Sequence, residues 1–259
     1  MSAHTLIQVE NLAKTYRTVS LGEIHALKDV SFAVAEGEFV SIVGPSGCGK
    51  STLLKILAGL LPRSSGEATL AGAALNGPSP AIGMVFQAPV LLPWRTIYEN
   101  VTFPVEVRRR AASEYRDRAM ALLELVGLRE FENRYPFELS GGMQQRAAIV
   151  RALVQDPKVL LMDEPFGALD AMTREQMNLE LLRIWETHRK TVLFVTHSIT
   201  ESIFLADRVL VMTARPGQLA EIIAVSLPRP RRLEMINSEA FGDYARRVRA
   251  LLQTKGDLS

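Results

Sequence analysis

Of 259 residues only one, Cys48, is a cysteine. It has no partner for an internal disulfide, so a small scaffold stapled by disulfides is ruled out. No apolar run reaches the ~18 residues needed to cross a bilayer. Any membrane role is expected to be peripheral or to pass through a partner. The start, Met1-Ser2-Ala3-His4-Thr5, has neither the basic residues nor the apolar stretch of a secretory leader, and a cytoplasmic chain is the expectation. Charge of either sign is scarce in excess: 30 Lys and Arg against 28 Asp and Glu leave +2. That is too little to argue for nucleic acid as a partner. The run Arg108-Arg109-Arg110 reads as a solvated helix face. Internal repeats, low-complexity linkers and an Asn-Lys-x-Asp guanine-reading segment are all missing. Hydrophobic residues at 47% beside 22% charged describe a globular chain with ample material for a core.

What is present begins with Gly44-Pro45-Ser46-Gly47-Cys48-Gly49-Lys50-Ser51-Thr52, which matches the phosphate-binding pattern G-x-x-x-x-G-K-[ST]. The flanks agree with it. Phe39 to Val43 reads as a buried strand, and Leu53, Leu54, Ile56, Leu57 and Leu60 follow at helical spacing until Pro62. A strand, a glycine-rich turn and a helix start gather backbone N–H groups around an anion, aided by the helix dipole. Lys50 is expected to reach the β- and γ-phosphates, and the Ser51 hydroxyl to ligate Mg²⁺. Cys48, near a helix N-terminus where thiol pKa falls, is either a reactive thiol whose alkylation blocks nucleotide or a small filler.

Strand-like alternation runs from Leu6 to Val43, with Ile7, Val9, Val30, Phe32 and Val34. Residues 62–80 favour short strands and turns, and Ile82 to Phe86 reads as a strand ending at Gln87. Between Pro89 and Val154 the period becomes helical, with Gly127 a plausible C′ residue. This stretch reads as a helical insertion in an α/β domain. The alternation then resumes through strands at Val159–Met162, Val192–Val195 and Val209–Met212, with a helix over 173–188. Pro216-Gly217 predicts a hairpin turn into Ala220–Val225. Beyond Pro228 the tail is basic and proline-punctuated, then helical over 241–252.

Two further stretches carry chemistry. The apolar run Val159-Leu160-Leu161-Met162 ends in Asp163-Glu164, at the strand edge where parallel sheets bind ligands. Asp163 suits Mg²⁺ or its water shell, and Glu164 suits orienting or deprotonating an attacking water. In Leu139-Ser140-Gly141-Gly142-Met143, Ser140 is a good N-cap and the glycines admit a phosphate to a helix start. Taken alone, each has a plain structural alternative.

With Gln87 and His197 added, order and spacing resemble the ATP-binding subunit of ABC transporters over essentially the whole chain. The resemblance implies an α/β P-loop NTPase fold. A RecA-like core with an N-terminal antiparallel β-subdomain would span 1–87 and 156–225, with a helical signature subdomain at 88–155 and a helical tail at 226–259. It implies two copies sandwiching two ATP molecules, each held by one copy's loop and by Ser140, Gly141 and Gly142 of the other. It further implies Tyr16 stacking on adenine, Gln87 at Mg²⁺ and water, and Glu164 and His197 acting in hydrolysis. Asp170, in Ala168-Leu169-Asp170, would lie in a loop crossing the dimer interface. Met143 stands where many members carry Gln, a change expected to cost little.

Two tasks compete for the ATP. One is driving a membrane permease; the other is a soluble ABC-type ATPase of DNA repair or translation. The chain lacks the long coiled coil of the repair type and the second cassette usual in the translation type. The apolar, proline-stiffened Pro89-Val90-Leu91-Leu92-Pro93-Trp94 lies where the family docks its permeases. The wording of Leu92 to Thr96, Ala214 to Gly217 and Leu227 to Arg231 resembles the nitrate, sulfonate and taurine importer group. That group implies a separate permease, a solute-binding protein and a place on the cytoplasmic face of the inner membrane.

Overall fold

The computed structural model describes residues 4–18 and 22–254. In chain order the elements are β1 (Thr5–Thr18), β2 (Gly22–Ala35), β3 (Phe39–Val43), α1 (Lys50–Leu57), β4 (Ser65–Leu70), β5 (Ala73–Ala74) and β6 (Ile82–Val85). Next come α2 (Ile97–Val107), α3 (Arg116–Leu125), α4 (Gly141–Leu153), β7 (Val159–Asp163) and α5 (Ala171–His188). The last are β8 (Thr191–Thr196), α6 (Ile199–Leu205), β9 (Arg208–Met212), β10 (Leu219–Ala224) and α7 (Glu239–Thr254). They fall into two compact units, one made of the chain up to Ser79 with Arg189 onward, the other Pro80–His188.

The first unit holds an antiparallel sheet, β2-β1-β4-β5, and the strands β10-β9-β3-β8. β3 pairs in parallel with both β8 and β9, while β10 runs antiparallel to β9. All five residues of β3 and all six of β8 are buried, which explains their mostly apolar sequence, with only Ser41, Thr191 and Thr196 polar among them. The carboxyl ends of β3, β8 and β9 share one edge. From it leave the phosphate loop, His197 and the turn at Thr213.

The tail makes specific contacts that its composition did not suggest. Arg231 donates to the carbonyls of Ile203, Phe204 and Ala206, and Arg229 to that of Leu205. These are the orphan carbonyls at the end of α6, so two arginines cap that helix. Burial lowers the Arg231 guanidinium to about 10, with Arg229 nearby adding to the effect.

In the second unit β6 runs parallel to β7, and α2, α3 and α4 pack on one another. The C-cap of α3 is Val126, followed by Gly127 at φ 67, the left-handed residue expected there. Arg108, Arg109 and Arg110 are exposed, but they follow α2 in the turn that ends it instead of lining a helix face.

Candidate functional site

The phosphate loop has the geometry its glycines foretell. Gly47 and Gly49 take φ of 73 and 105, conformations that side chains resist. Helix α1 starts at Lys50 with no side-chain cap and no acidic residue in its first turn, so its N–H groups are left for an anion. Lys50 is buried to 4% exposure and donates from Nζ to the carbonyls of Gly44 (2.9 Å) and Pro45 (3.0 Å). Its charge is thereby folded back along the loop's own backbone. The Cys48 thiol is 1% exposed, 4.0 Å from Lys50 Nζ, and a Cβ at Gly44 would lie 2.8 Å from Sγ. The cysteine is packing under the loop, which favours the small-filler reading over the reactive one.

Tyr16 meets the loop from β1. Its hydroxyl is 3.4 Å from the Thr52 Oγ1, and the Lys14 ammonium stands 5.1 Å from the ring centroid. The ring is still 36% exposed, so an aromatic surface stands beside the first turn of α1. His197 arrives from β8, whose Thr196 is in register with Val43 of β3. It is exposed, one residue past a buried strand. Both neighbours of His197 are held by Glu201: Thr196 Oγ1 donates to its carboxylate at 2.5 Å, and Ser198 caps its N–H at 3.2 Å. Glu201 was not singled out by sequence, where it reads as one more helical acid.

The second unit gathers the other half of the motifs. β7 is buried throughout and ends at Asp163, 8% exposed. Glu164 follows at φ 44, a left-handed non-glycine conformation that costs about 1–3 kcal/mol and is found where a site over-determines it. A Cβ placed on Gly167 would lie 3.9 Å from the Glu164 Cβ and 3.7 Å from the Gln87 Nε2. Gln87 and the Glu164 turn are therefore neighbours. So are the Leu-Ser-Gly-Gly stretch and the loop containing Asp170. Ser140 caps α4 through the Met143 N–H at 3.3 Å, and a Cβ on Gly142 would stand 3.1 Å from the Thr173 methyl. Ser140 and Gly141 remain exposed, while Gly142 is buried. Asp170 has a local task as well: its carboxylate accepts from the Thr173 N–H at 3.0 Å at the start of α5. The Thr173 hydroxyl and N–H bonds hold its carboxyl below the usual range.

Three residues that sequence reasoning missed grip the backbone on either side of Gln87. Gln145 donates to the Phe86 carbonyl at 3.3 Å, and Arg151 donates to those of Pro89 and Val90, both at 2.7 Å. Asn100, fully buried, accepts from the Leu92 N–H and donates to the carbonyls of Leu92, Arg95 and Thr96. Trp94, in contrast, is 71% exposed. Beside this segment lies a groove of about 470 Å³, lined by Met84, Phe86, Leu92, Phe103 and Val107 with Arg151 at its side.

The family model for ABC transporters matches residues 27–167. The chain belongs to the ABC transporter family. An aliphatic sulfonates import ATP-binding protein, SsuB of Bacillus cereus, is 43% identical over 238 residues, 92% of this chain and 92% of that protein. The taurine import ATP-binding protein TauB of Rhizobium johnstonii is 46% identical over 242 residues, 91% of this chain and 92% of that protein. Among solved structures, a dimeric bacterial ABC transporter cassette matches with a TM-score of 0.75 at 36% identity, over 86% of this chain and 100% of that one. A post-hydrolysis state of that cassette, bound to ADP and Pi, matches with a TM-score of 0.72 at 34% identity, over the same shares. The ABC cassette described here is thus an α/β P-loop NTPase that binds and hydrolyses ATP. Among the described residues it has no helix long and apolar enough to cross a membrane.

Proposed function

We propose that this cassette powers a bacterial importer for an aliphatic sulfonate, taurine, nitrate or a related small solute, working as a homodimer on a separate permease. Identity above 40% across nine-tenths of the length of SsuB and TauB is the observation that carries the solute class. The permease reading rests on the groove beside Phe86 and Leu92 and on exposed Trp94 and Val90. An apolar groove with a fixed backbone suits a short amphipathic helix of a partner. A solute-binding protein and a place on the cytoplasmic face of the inner membrane follow from that reading.

The chemistry is assigned residue by residue. The amides of 44–52 and the Lys50 ammonium hold the phosphates, with Tyr16 against the adenine. Ser140, Gly141 and Gly142 of a second copy complete each site, and Asp170 lies in the loop between copies. Ser51, Asp163 and Gln87 offer hard oxygen donors in small number, the set that suits Mg²⁺ sharing its shell with phosphate and water. When bound, the ion neutralises phosphate charge. Glu164 orients and accepts a proton from the attacking water, and His197 contacts the γ-phosphate. Positioning and charge stabilisation carry the rate, with no covalent intermediate.

Membrane extraction of the tagged cassette from its own cells tests the reading. Recovery of a permease, and ATPase activity raised by one of these solutes with its binding protein, is the expected result. Recovery with ribosomes or DNA would overturn it.

A further inference from the structure

A loop that turns its N–H groups inward on an anion turns its carbonyls outward, and each outward carbonyl needs a donor. Those of Gly44 and Pro45 take Lys50. That of Gly47 is taken from far along the chain: Arg215 Nε donates to it at 2.8 Å. We infer that Arg215 is a positioning residue of the phosphate loop, holding the Gly47 carbonyl outward so that the loop's amides, apart from the Cys48 N–H bonded to the Pro45 carbonyl, face the nucleotide. The inference rests on the reading that 44–52 takes nucleotide phosphates.

The turn carrying Arg215 is built onto the loop and not merely near it. It leaves β9 at Thr213, whose hydroxyl accepts from the Gln218 N–H, and whose backbone pairs with Gln218 at 2.9 Å. Gly217 then bridges to β2: its N–H donates to Ala26, and its carbonyl accepts from Lys28, both at 3.0 Å. A Cβ on Gly217 would lie 2.0 Å from the Cys48 carbonyl, so only glycine lets the turn come this close. On the other side a Cβ on Gly49 would lie 2.8 Å from the Ala26 carbonyl. Residues 47–49 are thus clasped between β2 and the 214–217 turn. A Cβ on Gly47 would stand 3.0 Å from the Arg215 guanidinium, which closes over the tip of the loop.

Arg215 is exposed, and Gly47 is the hydrogen-bond partner the structure gives it among the described residues. Its removal therefore touches the loop without touching the core. One N–H is used, so lysine can supply it, unlike sites that need the whole guanidinium fork. Ground-state and transition-state phosphates would feel the loop alike, which places the effect in KM more than in kcat.

The experiment titrates ATP into the full-length cassette by calorimetry, and measures ATPase kinetics, for wild type, Arg215→Ala, Arg215→Lys and Lys50→Ala. Arg215→Ala is expected to weaken ATP binding and raise KM by roughly three- to tenfold, a hydrogen bond's worth, with kcat kept within about twofold. Arg215→Lys should recover most of the affinity, and both variants should melt with wild type. Wild-type affinity in Arg215→Ala would overturn the inference. So would a lowered melting point in both variants with affinity lost in both, which makes Arg215 a folding residue. Failure of the wild type to bind ATP, or unchanged binding in Lys50→Ala, would instead strike the assignment of the loop, and the inference with it.

Discussion

The Arg151 guanidinium donates to the carbonyl of Val90 at 2.7 Å, and Val90 sits at φ 49, exposed and left-handed. A strained residue of the apolar segment is thus held by the helix that begins at the signature Ser140. Burial lowers the Arg151 pKa, yet the group stays cationic and its two bonds are charge-assisted. Arg151→Met keeps the stem and deletes both donors. It should lower unfolding stability by about 2–3 kcal/mol in urea titration, and speed proteolysis between Pro89 and Trp94.

Trp94 tests the opposite property. Its ring is exposed, so Trp94→Ala should leave the melting curve of the isolated chain within about 0.5 kcal/mol of wild type. Recovery of permease from membranes should fall sharply, measured as the ratio of the two proteins after extraction.

Asp170 gives a pH dependence with a defined sign. Its folded pKa is depressed by the Thr173 hydroxyl and N–H bonds. Its stabilisation is therefore present above the ordinary carboxylate pKa and is lost as pH falls through the folded value. Asp170→Asn can still accept the capping bond but cannot titrate. Between pH 7 and pH 3 the variant's melting temperature should fall less steeply than that of wild type.

The motifs legible in the sequence are those in which backbone geometry dictates residue type. Gly47 and Gly49 are required by their positive φ, and Ser140 by the Met143 N–H it caps. Strands β3, β7 and β8 were readable because burial on both faces leaves mostly apolar residues. Arg151 and Arg215 were not readable. Each answers a carbonyl brought near only by folding, in the case of Arg215 across 168 positions. A polar residue whose partner is distant in sequence looks like any surface polar residue. Glu164 lies between these cases: its acid was legible at the strand end, but its left-handed backbone was not.

Lys50 is the cleanest probe of the loop alone. Lys50→Ala removes the ammonium that bridges Gly44 and Pro45, and with it the charge proposed to hold the phosphates. ATP affinity should drop by about tenfold or more, read by calorimetry, with ATPase activity lost in step.

Glu164→Gln tests the whole account most directly. With ATP and Mg²⁺, light scattering after gel filtration should find a stable dimer retaining two ATP per pair, and turnover should fall ~10²-fold or more. A monomer under those conditions, or near-normal turnover, would contradict both the composite site and the role of Glu164.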